Sequence, residues 1–249
     1  MHKRSLLISL VVLAIFPISF NAFASTIPPQ AKAVSEQKQA SLTPQRALEM
    51  LKQGNQRFIN DQMRDYNFAK EMKITTKKGQ HPVAIVLSCI DARSIPDFLF
   101  DQGLGNLFVS RVAGNVISKD LLGSMEFATQ IAGARLVVVM GHTHCGAVQA
   151  ACSIGANTGL ANLDYLLGEI KPAVSQIEKQ KNKKELNCKS TKTVDIVAKQ
   201  NVINQLNGIY KDSAVIKNLV DSKQIYLLGA MHDIQSGQVL FFDKEGAPL

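Results

Sequence analysis

The stretch GHTHCG, Gly141 to Gly146, sets two histidines and a cysteine within four positions of a 249-residue chain that has only five histidines and four cysteines. A second cluster, SCIDARS, Ser88 to Ser94, holds Cys89, Asp91 and Arg93. Each cluster directly follows an apolar run, PVAIVL at 82–87 and ARLVVVM at 134–140. Two thiolates and an imidazole form a preferred ligand set for Zn²⁺. Three protein ligands with a free fourth position make a catalytic site, and four permanent ligands make a structural one. Asp91 bears on that choice, because its carboxylate could fill the fourth position, whereas Arg93 could hold it away in a bidentate ion pair. Taken singly these features are weak: a lone Cys at a strand end is usually core filler, and an exposed Asp–Arg pair is worth under about 1 kcal/mol. Joined at the ends of two buried strands, they point to a metal site with a carboxylate and a guanidinium beside it.

That joining depends on the elements carrying the clusters. Besides the two runs above, NLFVS at 106–110 and QIYLLGA from Gln224 are continuously apolar, as strands covered on both faces are, and helical stretches separate the four. The pattern predicts an α/β class: a central, mostly parallel sheet of about four parallel strands flanked by helices. QVLFF, from Gln238, follows the turn-rich HDIQSG and is expected to add antiparallel as an edge strand. Ligands in open α/β sheets bind beyond the carboxyl ends of the strands. If the runs at 82–87 and 134–140 are neighbours, both clusters therefore face one crevice. Thr43 as N-cap, Pro44 at the first helical position, and Leu48, Leu51 and Phe58 at helical spacing predict an amphipathic helix over 44–61. Val194, Val197, Ala198, Val202, Leu206 and Ile209 trace a second stripe between Thr191 and Ile209. Residues 44–249 are long enough for one domain with a substantial core.

The chain opens with MHKR, the apolar SLLISLVVLAIFPISF and a small-x-small site ending at Ala24. This is the order of a secretory signal, residues 1–24, cleaved after Ala24. Pro17 breaks the apolar run, which is also short of the roughly 20 residues that span a bilayer. No other segment reads as membrane-spanning, so the mature protein is expected to be exported, with a periplasmic location and no stable membrane anchor. Residues 25–43, poor in large apolar side chains, read as a flexible leader. The net charge is +8. Its densest run, Glu178 to Lys192, has no aromatic residues to stack on bases and no nucleic-acid motif around it, which excludes a nucleic-acid partner in favour of a solvated surface. Four cysteines in an exported chain would ordinarily suggest two disulfides, but Cys89 and Cys145 belong to the polar clusters. Export permits Cys152 and Cys188 to pair, although nothing in the sequence brings their Cα atoms within the roughly 4.4–6.8 Å that a bridge needs.

CIDAR and HTHC at this separation resemble the zinc-binding motifs of the β-class carbonic anhydrases. SRVAGNVIS, Ser110 to Ser118, and LGAMHDIQSGQV, Leu228 to Val239, resemble further segments of that family, and with the leading helix the likeness extends from residue 44 onward. The resemblance implies one Zn²⁺ per chain held by Cys89, His142 and Cys145, no ligand role for His144, and Asp91 with Arg93 as the catalytic pair, Asp91 becoming a fourth ligand in a closed state. It also implies reversible hydration of CO₂ to bicarbonate and a proton by hydroxide formed at zinc, and a homodimer or larger assembly of dimers with the N-terminal helix packed on the partner. Some members carry a bicarbonate pocket that favours the closed site. Its tryptophan and tyrosine are matched here by Val86 and His232, so the chain is expected to lack that switch although Arg111 is present. Ile90 and Ala92 stand where serine is commoner, and Val112 where asparagine is frequent. Two rivals stay open: a hydrolase of carbonyl sulfide or carbon disulfide on the same scaffold, and a non-catalytic zinc protein with Asp91 as permanent fourth ligand. A thiol oxidoreductase is disfavoured by the lack of C-x-x-C. His232 reads either as a proton shuttle or as a packed histidine.

Overall fold

The computed structural model describes residues 33–182 and 186–249. The signal segment and the start of the leader lie outside the described residues, as do positions 183–185 of the basic run. Among the described residues, five strands form one sheet in the order β2-β1-β3-β4-β5. β1 (Ala84–Ser88), β2 (Leu107–Arg111), β3 (Leu136–His142) and β4 (Tyr226–His232) run parallel, and β5 (Val239–Phe242) pairs antiparallel with β4. β1 and β3 are therefore direct neighbours, the condition on which a shared crevice depends.

The runs are apolar throughout because both faces of the sheet are covered. Ala84 and Val86 of β1, with Leu136, Val138 and Met140 of β3, pack in the same cluster as Leu48 and Leu51 of helix α2 (Pro44–Ile59). The alternate residues Ile85, Leu87, Val137 and Val139 pack with Leu206 and Ile209 of α8 (Thr191–Asp212). A third cluster lies over the carboxyl ends of the strands. It joins Cys89 and Cys145 to Leu167, Ile170 and Val174 of α7 (Ala161–Gln180) and to Val194 and Val197 of α8. The polar motifs thus emerge from the sheet beneath a dry helical layer.

One expectation for the N-terminal region changes. Residues 33–43 are not a free leader: Glu36–Ala40 form helix α1, and Val34, Gln39 and Leu42 are buried. Composition hides this docking because a single polar side chain does much of it, Gln39 donating from Nε2 to the carbonyls of Pro82 at 2.7 Å and Ala132 at 2.8 Å. The α2 helix begins as expected, the Thr43 side chain accepting from Arg46 N–H with Pro44 in the first turn. Its apolar stripe packs on the sheet of its own chain.

Gly54 marks how closely α2 approaches the short helix α4 (Pro96–Leu99): a Cβ there would lie 1.8 Å from the Phe100 carbonyl oxygen. Backbone cannot yield as a flexible side chain does, so Gly54→Ala is expected to cost about 3 kcal/mol, the upper end of overpacking. Gly123, inside α5 (Lys119–Glu126), has nothing within 4 Å of the same position. Gly123→Ala is expected to gain about 0.5–1 kcal/mol from helix propensity. Urea midpoints of the two variants against the parent check both signs.

Candidate metal centre

Cys89 leaves the end of β1, His142 closes β3, and Cys145 precedes α6 (Gly146–Ser153). One ligand atom from each lies within 4.8 Å of the others, and all three residues are buried. His142 Nδ1 is 2.9 Å from the Thr143 carbonyl oxygen. A carbonyl can only accept, so Nδ1 carries the proton and Nε2 presents a lone pair. That Nε2 is buried with no hydrogen-bond partner among the described residues. An orphaned imidazole nitrogen beside two buried sulfurs is an unfavourable arrangement unless a cation completes it.

The thiols give the same message. The neighbouring Cys145 thiol holds the Cys89 group down at about 4. Facing that thiolate, Cys145 is pushed far above the ordinary thiol range, with burial adding to the effect. The pair therefore keeps one proton by itself, and only a positive charge would allow two thiolates to coexist there. Local structure already favours thiolate character. Gly114 N–H donates to Cys89 Sγ at 3.4 Å, and Ala147 and Val148 N–H groups at the start of α6 bear on Cys145. Gly114 has φ 67°, and a Cβ on it would meet Ile170 Cδ1 at 2.5 Å, so this approach to the sulfur requires glycine.

Asp91 and Arg93 stand beside the trio as a bidentate pair. Arg93 Nε donates to Oδ1 at 3.0 Å and Nη2 to Oδ2 at 2.8 Å, while Arg93 N–H also reaches Oδ1 at 3.0 Å. These bonds hold the Asp91 carboxyl well below the usual carboxylate range. Arg111 spans the gap from β2, donating to the carbonyls of Cys89 at 3.0 Å and Asp91 at 2.6 Å. Of the departures noted in sequence, Val112 packs on the apolar cluster that contains Cys89 and Cys145. Ile90 and Ala92 are exposed, and Val86 is enclosed in the core. His144 is also exposed, at φ 58°, its N–H held by Asp195 Oδ1 at 2.8 Å. His232 pairs with His142 across the β3–β4 ladder, is 2 % exposed, and burial pushes its pKa down to about 4. It is therefore a packed, neutral histidine at pH 7, not a group that titrates where a shuttle would.

The amides that support these loops stand outside both motif clusters. Asn201 Nδ2 donates to the Gly114 carbonyl at 2.8 Å, and Gln205 ties Asn201 to the Ile117 N–H. Both lie on the buried face of α8. The signal available was two amides four residues apart inside an otherwise apolar stripe, where an unpaired polar group would be costly. Ser94 and Asp195 gave no comparable signal.

The family model for carbonic anhydrase matches residues 84–239, more than half of the chain and a span that contains both motif clusters. The chain belongs to the carbonic anhydrase family. Carbonic anhydrase 2 of Mycobacterium tuberculosis is 41% identical over 108 residues, 43% of this chain and 52% of that protein. The carbonic anhydrase of Pseudomonas aeruginosa is 28% identical over 194 residues, 73% of this chain and 83% of that protein. The match spans about half the length of the mycobacterial relatives. Among solved structures, the β-carbonic anhydrase CafA of Aspergillus fumigatus aligns with a TM-score of 0.61 at 27% identity, covering 71% of this chain and 82% of that one. Sequence family and fold together place the chain in the β class.

Cys152, at the end of α6, is disulfide-bonded to Cys188, with Cα atoms 5.7 Å apart, whereas Cys89 and Cys145 are free. Linear order could not reveal this, because the 36-residue separation is closed by α7 folding back on α6. Thiol titration of the protein denatured with chelator and without reductant is expected to count two thiols per chain, four after reduction and three in unreduced Cys152→Ser.

Proposed function

We propose that the chain is a zinc-dependent carbonic anhydrase, catalysing reversible hydration of CO₂ to bicarbonate and a proton, with Cys89, His142 and Cys145 holding one Zn²⁺ and Asp91 with Arg93 as the catalytic pair. The observation that carries the reading is the placement of an arginine-bound carboxylate beside a buried Cys–His–Cys trio. A purely structural centre has no use for a group that draws Asp91 away from the metal. When bound, zinc supplies a Lewis acid that makes hydroxide available near neutral pH.

The chain's own contribution is orientation. A carboxylate offers about four acceptor sites. Arg93 takes two on Oδ1 and one on Oδ2, which leaves Oδ2 one site for a hydrogen bond from the attacking oxygen. Being ionised, Asp91 can only accept that bond, and it thereby directs the remaining lone pairs of that oxygen toward the CO₂ carbon. Arg93 fixes the plane of the carboxylate, and Arg111 fixes the backbone that carries it. Carbonyl sulfide is the nearest competing substrate, and parallel kinetics on both gases separates the two.

An exported, periplasmic location is part of the same proposal. It is supported by the signal pattern at residues 1–24 and by a disulfide of the kind that persists in oxidising compartments. A homodimer, or an assembly of dimers, is supported by β2 lying at the sheet edge. Beside it Phe108 and Phe127 stack at 6.4 Å, with Phe127 half exposed. Sedimentation equilibrium showing a monomer at micromolar concentration would remove the assembly from the proposal.

The lowered Asp91 carboxyl contributes no titration of its own near neutral pH. A carboxyl lowered in the folded state stays ionised above the ordinary range and takes up its proton only on acidification below it. Between about pH 6.5 and 9 Asp91 therefore does not titrate. Stopped-flow CO₂ hydration is expected to rise with pH in the parent at one zinc per chain. In Asp91→Ala it is expected to be lower by about 10²-fold or more at every pH, with zinc retained. Cys89→Ser is expected to lose both metal and activity. Full zinc with no hydration at any pH would sink the reading.

A further inference from the structure

The turn bearing Asp91 and Arg93 is poorly anchored by its own side chains. Ile90, Ala92 and Arg93 are exposed and Asp91 is partly so, which leaves Ser94 as the fully buried residue of the turn. Ser94 N–H donates to the Asp91 carbonyl at 2.9 Å and closes the turn. Its hydroxyl, 0 % exposed as a residue, lies 3.2 Å from Nδ1 of the His232 ring, 138 positions away. His232 also grips the other motif, because its carbonyl accepts from Thr143 N–H at 2.9 Å, next to the ligand His142. One residue at the end of β4 thus touches both loops that build the metal centre, one through its ring and the other through its backbone.

We propose that His232 is a positioning residue for Asp91, acting through Ser94. The ring and the hydroxyl seat the Asp91–Ser94 turn against the end of β4, in the orientation from which Arg93 reaches both carboxylate oxygens. The inference rests on the catalytic reading above and assigns what keeps Asp91 off the metal. An ion pair as exposed as Arg93, whose side chain is 61% accessible, is weak alone. A carboxylate two residues from a ligand is drawn strongly to a divalent cation at the trio. A buried hydrogen bond is not screened by solvent in the same way, and its loss leaves an unpaired polar group in the interior. Freed from His232, the turn is expected to let Asp91 close on the cation and occupy the position the reaction needs.

The test uses the full mature chain loaded with Co²⁺, as well as the zinc form, in Ser94→Ala, His232→Phe, the double variant and His232→Asn. Azide added to the cobalt protein reports the open position through the visible spectrum, independently of turnover. Each of the first two variants is expected to bind metal at one per chain, to weaken azide binding and to lower kcat by about tenfold, with KM little changed. The double variant is expected to be no worse than the poorer single one, since the two residues act as a unit. His232→Asn keeps a hydrogen-bonding amide, able to donate or accept, near the position of Nδ1 and is expected to recover most of both losses. Azide binding and kcat within twofold of the parent in both single variants would overturn the proposal, as would losses that multiply in the double variant. Recovery of His232→Phe by imidazole buffer would overturn it in favour of proton transfer. If the parent binds cobalt and azide but hydrates no CO₂, the catalytic reading fails, and the azide arm still decides whether His232 holds the turn.

Discussion

Two sulfurs and an imidazole nitrogen are held within 4.8 Å of one another in a buried place, and the rest of the molecule is arranged around the electrostatic cost of that grouping. Without a cation the pair of thiols retains a proton and the imidazole nitrogen has no partner among the described residues. Burial magnifies both penalties, because a low-dielectric surrounding offers no solvent to stabilise a second negative charge. The same burial makes the centre selective, since a soft divalent ion that prefers sulfur and nitrogen relieves all three groups at once.

Sheet order is the first device that serves this constraint. Adjacency of β1 and β3 brings Cys89 and His142 to the same end of the sheet, and the tight segment after β3 places Cys145 three residues on, at the mouth of α6. The third apolar cluster, drawn largely from α7 and α8, then excludes water. A belt of amides and carboxylates fixes the backbone beneath it: Asn201 and Gln205 hold the Gly114 segment, and Asp195 holds His144 in a left-handed conformation. The buried contacts of Asn201 and Gln205 stabilise the fold modestly, but each would be costly to leave unmade, so they specify one arrangement of the loops over its alternatives.

The architecture was legible in the sequence because it is written in long-range regularities. Continuous apolar runs mark doubly covered strands, and helical stripes mark α2 and α8. The cluster of thiols and imidazoles was legible because cysteine and histidine are scarce in this chain and stand together at the ends of those runs, while the family resemblance singled out His142 from His144. What escaped notice depends on single contacts between distant segments. Gln39 docks a stretch whose composition resembles a flexible leader, and Ser94 meets His232 across 138 residues. Cys152 and Cys188 meet only after α7 has turned the chain back. Neither periodicity nor composition records a meeting of that kind, since each partner looks ordinary in its own neighbourhood.

The α6 helix is fastened at both ends. Its first turn adjoins Cys145 and its last holds Cys152, bonded to the segment that leads into α8. At eight residues it is a rod of about 12 Å, too short to bend appreciably. A short rod pinned at two points can neither slide along its axis nor roll about it. The position of the Cys145 sulfur is thus referred to the covalent frame of the domain as well as to the packing around it. Compartment chemistry, by deciding whether the far pin is in place, also sets how much mechanical play the near end has.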